Sequence, residues 1–205
     1  NISKNITKNS KFKRFISIKN FQKDKKKYDL ITVIHTLEHL INPGKTLNLL
    51  KNKLTNKGKI LIQIPDFHFN PYDLIVYDHT VHYNINAIKK LADKNDMEIF
   101  FLSNRVISCE ISLLLSKKKF KIKRNTKSNQ KLSNELIRFK KNIKWLNNQI
   151  KDLQKLKQIS LLGTSVIATW IYSYTKNKKI KFADEDKSKL GLKHLNYSIK
   201  NITSI

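Results

Sequence analysis

Cysteine is almost missing from this chain of 205 residues. Cys109 stands alone, which excludes a disulfide framework and a cysteine metal site and fits a reducing cytoplasm. Glycine is scarce, four in all, and none precedes Gly44. No apolar run approaches the ~20 residues that span a bilayer, so no membrane partner is expected. Acidic residues are few, 15 against 42 lysines and arginines, and the formal charge is +27. Such a charge ordinarily points to nucleic acid or an anionic surface. Here the lysines are spread through nearly every segment, arginine is rare, and asparagine and isoleucine abound, the bias of an AT-rich coding sequence. The arginine forks and interleaved aromatics of specific nucleic-acid readout are missing. What is present is a 40% hydrophobic content, enough to fill a core in one large or two small domains. The chain opens at Asn1 without an initiator methionine, and the amino-terminal portion of a longer protein is expected to be missing.

Periodicity predicts an α/β fold. Lys13 to Ile18 alternates as a strand would, and Lys23 to Lys27 is a solvated basic connection. Leu30, Ile31, Val33 and Ile34 form a buried strand, followed by a polar turn carrying His35, Glu38 and His39. Asn42-Pro43 starts a helix with Leu47, Leu50 and Leu54 on one face, and Gly58 is its expected left-handed stop. Ile60, Leu61, Ile62 and Ile64 then make a second buried strand that stops at Pro65, completing a parallel βαβ unit. Asn84 caps a helix over Ile85 to Asn95, with Ile88 and Leu91 facing the sheet. Met97 to Leu102 and Val106 to Leu115 read as an antiparallel edge pair.

After the basic tract Lys117 to Gln130, apolar residues from Leu132 through Leu136, Phe139, Ile143, Leu146 and Ile150 to Leu153 recur at heptad spacing. That is one long helix, either packed on the sheet or pairing in a homodimer. Gln158 to Leu162 is a strand, Gly163-Thr164-Ser165 a turn, Val166 to Thr175 a helix, and Ile180 to Ala183 a strand ending in Asp184-Glu185-Asp186. The predicted organisation is a partial Rossmann-like sheet over 1–116, a linker and long amphipathic helix over 117–157, and a small second βαβ subdomain over 158–205. Gly163-x-Ser165-x-x-Ala168 with Asp184 beyond it is a degraded dinucleotide fingerprint, because Ser165 replaces the glycine that lets backbone approach a pyrophosphate. It reads as a structural unit, or a site for the nucleotide part of a substrate, in preference to an NAD site.

In open α/β sheets ligands sit beyond the carboxyl ends of the strands, where His35, Glu38, His39 and the Pro65-Asp66 corner fall. His35-Thr36-Leu37-Glu38-His39 also fits the H-x-x-E-H zinc-peptidase pattern, but that chemistry needs both histidines on one helical face, and Asn42-Pro43-Gly44 precludes the helix. No metal centre is expected. Asp78-His79 pairs a carboxylate with an imidazole, whose ordinary pKa near 6.5 suits a general base at neutral pH; two plain loop residues are the alternative. Asp66, His68, Tyr77 and His82 lie near the same rim and offer hydrogen bonds to sugar hydroxyls or a phosphate.

The segments YDLITVIHTLEHLINP and LTNKGKILIQIP, followed by YDLIVYDHTVHYNINAIKKLADKNDMEIF, resemble the second half of the class I S-adenosylmethionine-dependent methyltransferase domain, and the last of them its sugar C-methyltransferase branch. The resemblance covers about Tyr28 to Phe101, with Lys59 for the second glycine of a usual pair and Asp78 for a usual glutamate. The turn, helix and acidic end over 163–186 are similar to the small subdomain that closes the same branch. The resemblance implies S-adenosylmethionine as cofactor, with His35, Glu38 and His39 lining the cofactor and acceptor pocket; that Glu38 merely helps hold its loop is the equal alternative. It also implies His79 as the base, with Asp78, in C-methylation of a nucleotide-linked keto sugar. The glycine-rich donor loop that the family carries before this point is missing, so weak or no donor binding is expected of this chain. The alternative function is a basic nucleic-acid-binding module or an RNA methyltransferase.

Overall fold

The computed structural model describes residues 18–117, 130–175 and 179–204. The strand expected at Lys13 to Ile18 lies outside these, except for Ile18, which opens helix α1 (Ile18–Lys23). The Lys53 ammonium, itself buried, donates to the carbonyls of Gln22 and Asp24 at the end of that helix, satisfying groups that have no intrahelical partner.

Strand β1 (Tyr28–Ile34), helix α2 (Pro43–Lys53) and strand β2 (Leu54–Pro65) form the expected βαβ unit. The two strands are parallel, with Ile31 opposite Ile60 and Val33 opposite Ile62. Asn42 caps α2 by accepting from the Lys45 amide at 3.0 Å. The helix stops earlier than Gly58: Leu54 is already extended and opens β2. Gly58 lies inside the strand, where an added Cβ would meet the Tyr28 carbonyl oxygen at 2.6 Å. Its lack of a side chain serves close approach of β1, and the expected left-handed stop is corrected accordingly.

Helix α3 (Ile85–Lys94) is capped by Asn84, which accepts from the Ala87 amide at 2.8 Å. Strands β3 (Met97–Ser103) and β4 (Glu110–Lys117) pair antiparallel. The second begins later than the predicted Val106, because 104–109 form a bend that ends on Cys109 at φ 64°. The sheet order is β1-β2-β4-β3, with β4 antiparallel to β2 and Ile62 opposite Leu113. Ile60, Ile62 and Ile64 of β2 and Ile111, Leu113 and Leu115 of β4 are fully buried against Leu47, Leu50, Ile88 and Ala92 of the helices. Burial of this kind contributes about 2 kcal/mol per aliphatic side chain.

Helix α4 (Gln130–Lys155) leads to a second sheet built from β5 (Gln158–Leu162), β6 (Lys179–Asp184), β7 (Lys193–His194) and β8 (Tyr197–Asn201) in the order β5-β6-β8-β7. Helix α5 (Val166–Thr175) joins the parallel pair β5 and β6, so this is the second βαβ unit, closed on Ile159, Leu161, Ala168, Ile180 and Phe182. Residues 118–129 of the expected linker lie outside the described residues. No helix among the described residues is long and apolar enough to cross a membrane.

Candidate functional site

Three segments meet beyond the carboxyl ends of β1 and β2. The first is the turn after β1. The His35 amide extends the ladder by donating to Gln63 O at 2.9 Å, and His35 then takes φ 42°, which swings the chain into a 3-10 turn over Leu37–His39. Leu37 anchors that turn in the core, and Glu38 next to it is 1% exposed. The second segment follows Pro65 and ends in a 3-10 turn, Pro71–Ile75, which holds Asp73 at 2% exposure. The third is the loop 76–84. The Thr80 and Val81 amides both donate to Glu38 O, at 2.8 and 3.2 Å, and the Thr80 hydroxyl donates to Leu40 O, clamping the loop onto the first turn.

The clamp brings His79 against His39, ring centroids 4.8 Å apart and edge to face. Asp73 bridges two imidazoles: His79 Nδ1 donates to Oδ1 at 2.6 Å and His82 Nδ1 to Oδ2 at 2.8 Å. A buried carboxylate needs such partners, and the charge-assisted bonds engage Nδ1 of each ring, leaving Nε2 as the remaining nitrogen. Asp78 meets His39, whose Nδ1 lies 3.3 Å from its carboxylate and 3.2 Å from its backbone oxygen. The carboxylate on His79 is therefore Asp73, six residues back in the chain, and the adjacent Asp78 serves a different ring.

On the other side of the turn His35 lies between two acids, with Nδ1 3.4 Å from Glu38 Oε1 and Nε2 3.1 Å from Glu110 Oε1. Neither Glu38 oxygen receives a hydrogen bond, and the buried Tyr83 hydroxyl beside it is also without one. Burial, and then the Glu38 charge, push the Tyr83 phenol far above its ordinary pKa of 10.0.

Among the residues singled out from sequence, the structure gathers Glu38, His39, Asp78, His79 and His82, with His35 on the flank. It does not bring in the other three. The Asp66 carboxylate is buried and accepts from the His68 amide and the Asn104 side chain, so it organises its own loop. His68 Nε2 lies 3.1 Å from Glu135 of α4. Tyr77 is 90% exposed. Sequence reading missed Asp73, because an isolated acid inside the apolar run Tyr72-Asp73-Leu74-Ile75-Val76 carries no spacing signal of its own.

No curated protein sequence matches the chain. Among solved structures it is similar to an S-adenosylmethionine-dependent methyltransferase from Clostridium acetobutylicum, at 14% identity and a TM-score of 0.39 over 46% of this chain and 60% of that one. It is also similar to the mitomycin 7-O-methyltransferase MmcR, at 10% identity and a TM-score of 0.40 over 47% of this chain and 32% of that one. Magnesium protoporphyrin IX methyltransferase from Synechocystis, with bound SAH, aligns at 14% identity and a TM-score of 0.35 over 48% of each chain. The chain thus spans less than two thirds of the length of each of these structures. The family model of a methyltransferase domain matches residues 2–100, just under half of the chain and the part that carries Glu38, Asp73 and His79.

Proposed function

We propose that the chain carries the acceptor side of an S-adenosylmethionine-dependent methyltransferase, acting on a carbon next to the carbonyl of a small, nucleotide-linked keto sugar. The observation that carries this reading is the bond between buried Asp73 and His79 at 2.6 Å. With Nδ1 engaged, Nε2 is the His79 nitrogen left to accept a proton, which is the arrangement a general base requires. The match of residues 2–100 to a methyltransferase domain supports the reaction class. The sugar acceptor rests on the resemblance of the segment from Tyr72 to Phe100 to the C-methyltransferase branch.

The residues present fit one side of the donor. The half-exposed rings of His35 and His39 stand on the turn after β1, where a ligand lies in such sheets, and would hold it by hydrogen bonds. When bound, the donor supplies an electrophilic methyl group on a sulfonium. His79 Nε2 takes the proton from the acceptor carbon, and that C–H electron pair becomes the enolate. The Asp73 charge stabilises the imidazolium that results, and His82, on the other Asp73 oxygen, keeps the carboxylate in place. A bound donor would offer its methyl group to the enolate carbon, the S–CH3 bond breaking to leave the donor as a neutral thioether. The test separates the base from the donor site: deuterium exchange next to the carbonyl of nucleotide-linked keto sugars, followed by NMR in the full-length protein. His79→Ala should slow exchange about 10²–10⁴-fold; exchange that proceeds unchanged sinks the base assignment, and no methyl transfer by the wild type sinks the reaction class.

A homodimer contact along α4 is part of the same proposal. Leu136, Phe139 and Ile143 remain 51, 40 and 37% exposed on one flank. Sedimentation of Phe139→Lys with Ile143→Lys should give a monomer where the wild type gives a dimer.

A further inference from the structure

We propose that Glu38, His39 and His79 form a binding site for one divalent transition-metal ion of the zinc class, and that its occupancy silences His79. One ligand atom from each of the three residues lies within 4.8 Å of the other two. Two imidazoles and a carboxylate are a donor set suited to such ions, with room for water or another ligand at a fourth position. The independent observation is Glu38. Its side chain is 2% exposed, and both carboxylate oxygens are buried without a hydrogen bond. Only the His35 ring approaches it, at 3.4 Å from Oε1 and outside hydrogen-bond geometry, and Oε2 meets no donor; an acid so taken out of water is costly, and a cation on Oε2 is the partner it lacks.

The surroundings match what a metal requires of its histidines. Ligating imidazoles ordinarily hold a carboxylate on the ring nitrogen that does not bind the metal. His79 Nδ1 is on Asp73 at 2.6 Å and His39 Nδ1 on Asp78 at 3.3 Å, which leaves Nε2 of each ring. Ligand atoms of a tetrahedral ion with bonds of ~2.0 Å sit about 3.3 Å apart, so groups that lie within 4.8 Å of one another must close by up to about 1.5 Å. His39, 37% exposed, has the freedom to do so and gives the ion a way in from solvent. The H-x-x-E-H pattern therefore fails as a peptidase motif, since His35 turns to Glu110, yet its Glu38 and His39 gain a third ligand from a loop 40 residues on. The same His79 Nε2 is the base in the proposed reaction. A bound metal removes that lone pair, so occupancy and proton abstraction exclude each other.

The site itself does not depend on the methyltransferase reading, and the experiment needs neither donor nor acceptor. Calorimetric titration of the full chain with zinc chloride, repeated with cobalt(II) for its visible absorption, should show one ion per chain with tetrahedral cobalt bands. His39→Ala and Glu38→Gln should each weaken binding by more than 100-fold, beyond the roughly 10–100-fold loss typical of removing an outer carboxylate, with thermal melts confirming that both variants fold. Absence of binding overturns the proposal. So does binding that survives His39→Ala but is lost in His82→Ala, which would place the ion on Asp73, His79 and His82. Should methyl transfer prove absent while zinc binds as stated, the functional reading falls and the metal site stands.

Discussion

Asp73 and His79 are joined at 2.6 Å across a six-residue loop, and the bond lies almost wholly out of water. The neighbour of His79 in sequence, Asp78, is half exposed and faces His39. The two acids should therefore separate kinetically. Asp73→Asn keeps the shape but removes the charge that holds the Nδ1 proton, and should slow proton exchange and methyl transfer about 10²-fold or more, whereas Asp78→Asn should change them less than about 10-fold. Equal losses would show that the buried acid has no special part.

Tyr83 offers a test of the unsatisfied interior. Its hydroxyl is buried without a partner beside Glu38. Replacing it with Phe removes a desolvated polar group and should raise stability by about 1 kcal/mol in urea denaturation. The pH dependence has a definite sign. The folded-state pKa is raised, so the unfolded chain loses its phenolic proton first and wild-type stability falls as pH rises above the ordinary value of 10.0. Tyr83→Phe should remove that part of the alkaline loss.

Gly58→Ala should cost about 1–3 kcal/mol by overpacking, because the new Cβ meets the Tyr28 carbonyl oxygen at 2.6 Å and backbone cannot step aside as a side chain can. A denaturation midpoint equal to the wild type would mean that β1 and β2 can separate locally at no cost.

In the second sheet unit the Lys189 ammonium donates to Asp184 at 2.9 Å and, with the Asp186 amide, holds that carboxyl below its ordinary pKa. The stabilisation is present above the unfolded value, about 4, and is lost as pH falls through the lowered folded one. Lys189→Met should flatten the acid limb of stability measured by thermal melts between neutral pH and pH ~3.

Much of the fold was legible because local rules agreed with the tertiary outcome. Asn42 and Asn84 cap as their chemistry dictates, and the alternation Ile60, Ile62, Ile64 fits one buried face. Gly58 misled because glycine serves equally for a left-handed turn and for close strand approach. In helix α4 the heptad spacing marked Leu146 and Leu153, which are packed, but not the polar contacts beside them: Glu135 meets Asn84 and Asn86, and Arg138 and Asn142 donate to the backbone carbonyls of His68 and Phe67. Hydrophobic spacing cannot signal such polar contacts. Likewise the turn at 35–39 was legible from the end of the apolar run, while Asp73 became visible only when the loop folded back.

Tyr72, the residue before Asp73, is flanked by both tryptophans of the chain, Trp145 of α4 at 5.3 Å and Trp170 of α5 at 6.1 Å between ring centres. The indole emission of this protein therefore originates entirely at the seam where the long helix and the second sheet unit lean on the loop that steers His79. Its fluorescence is a native reporter of that loop, readable without any label.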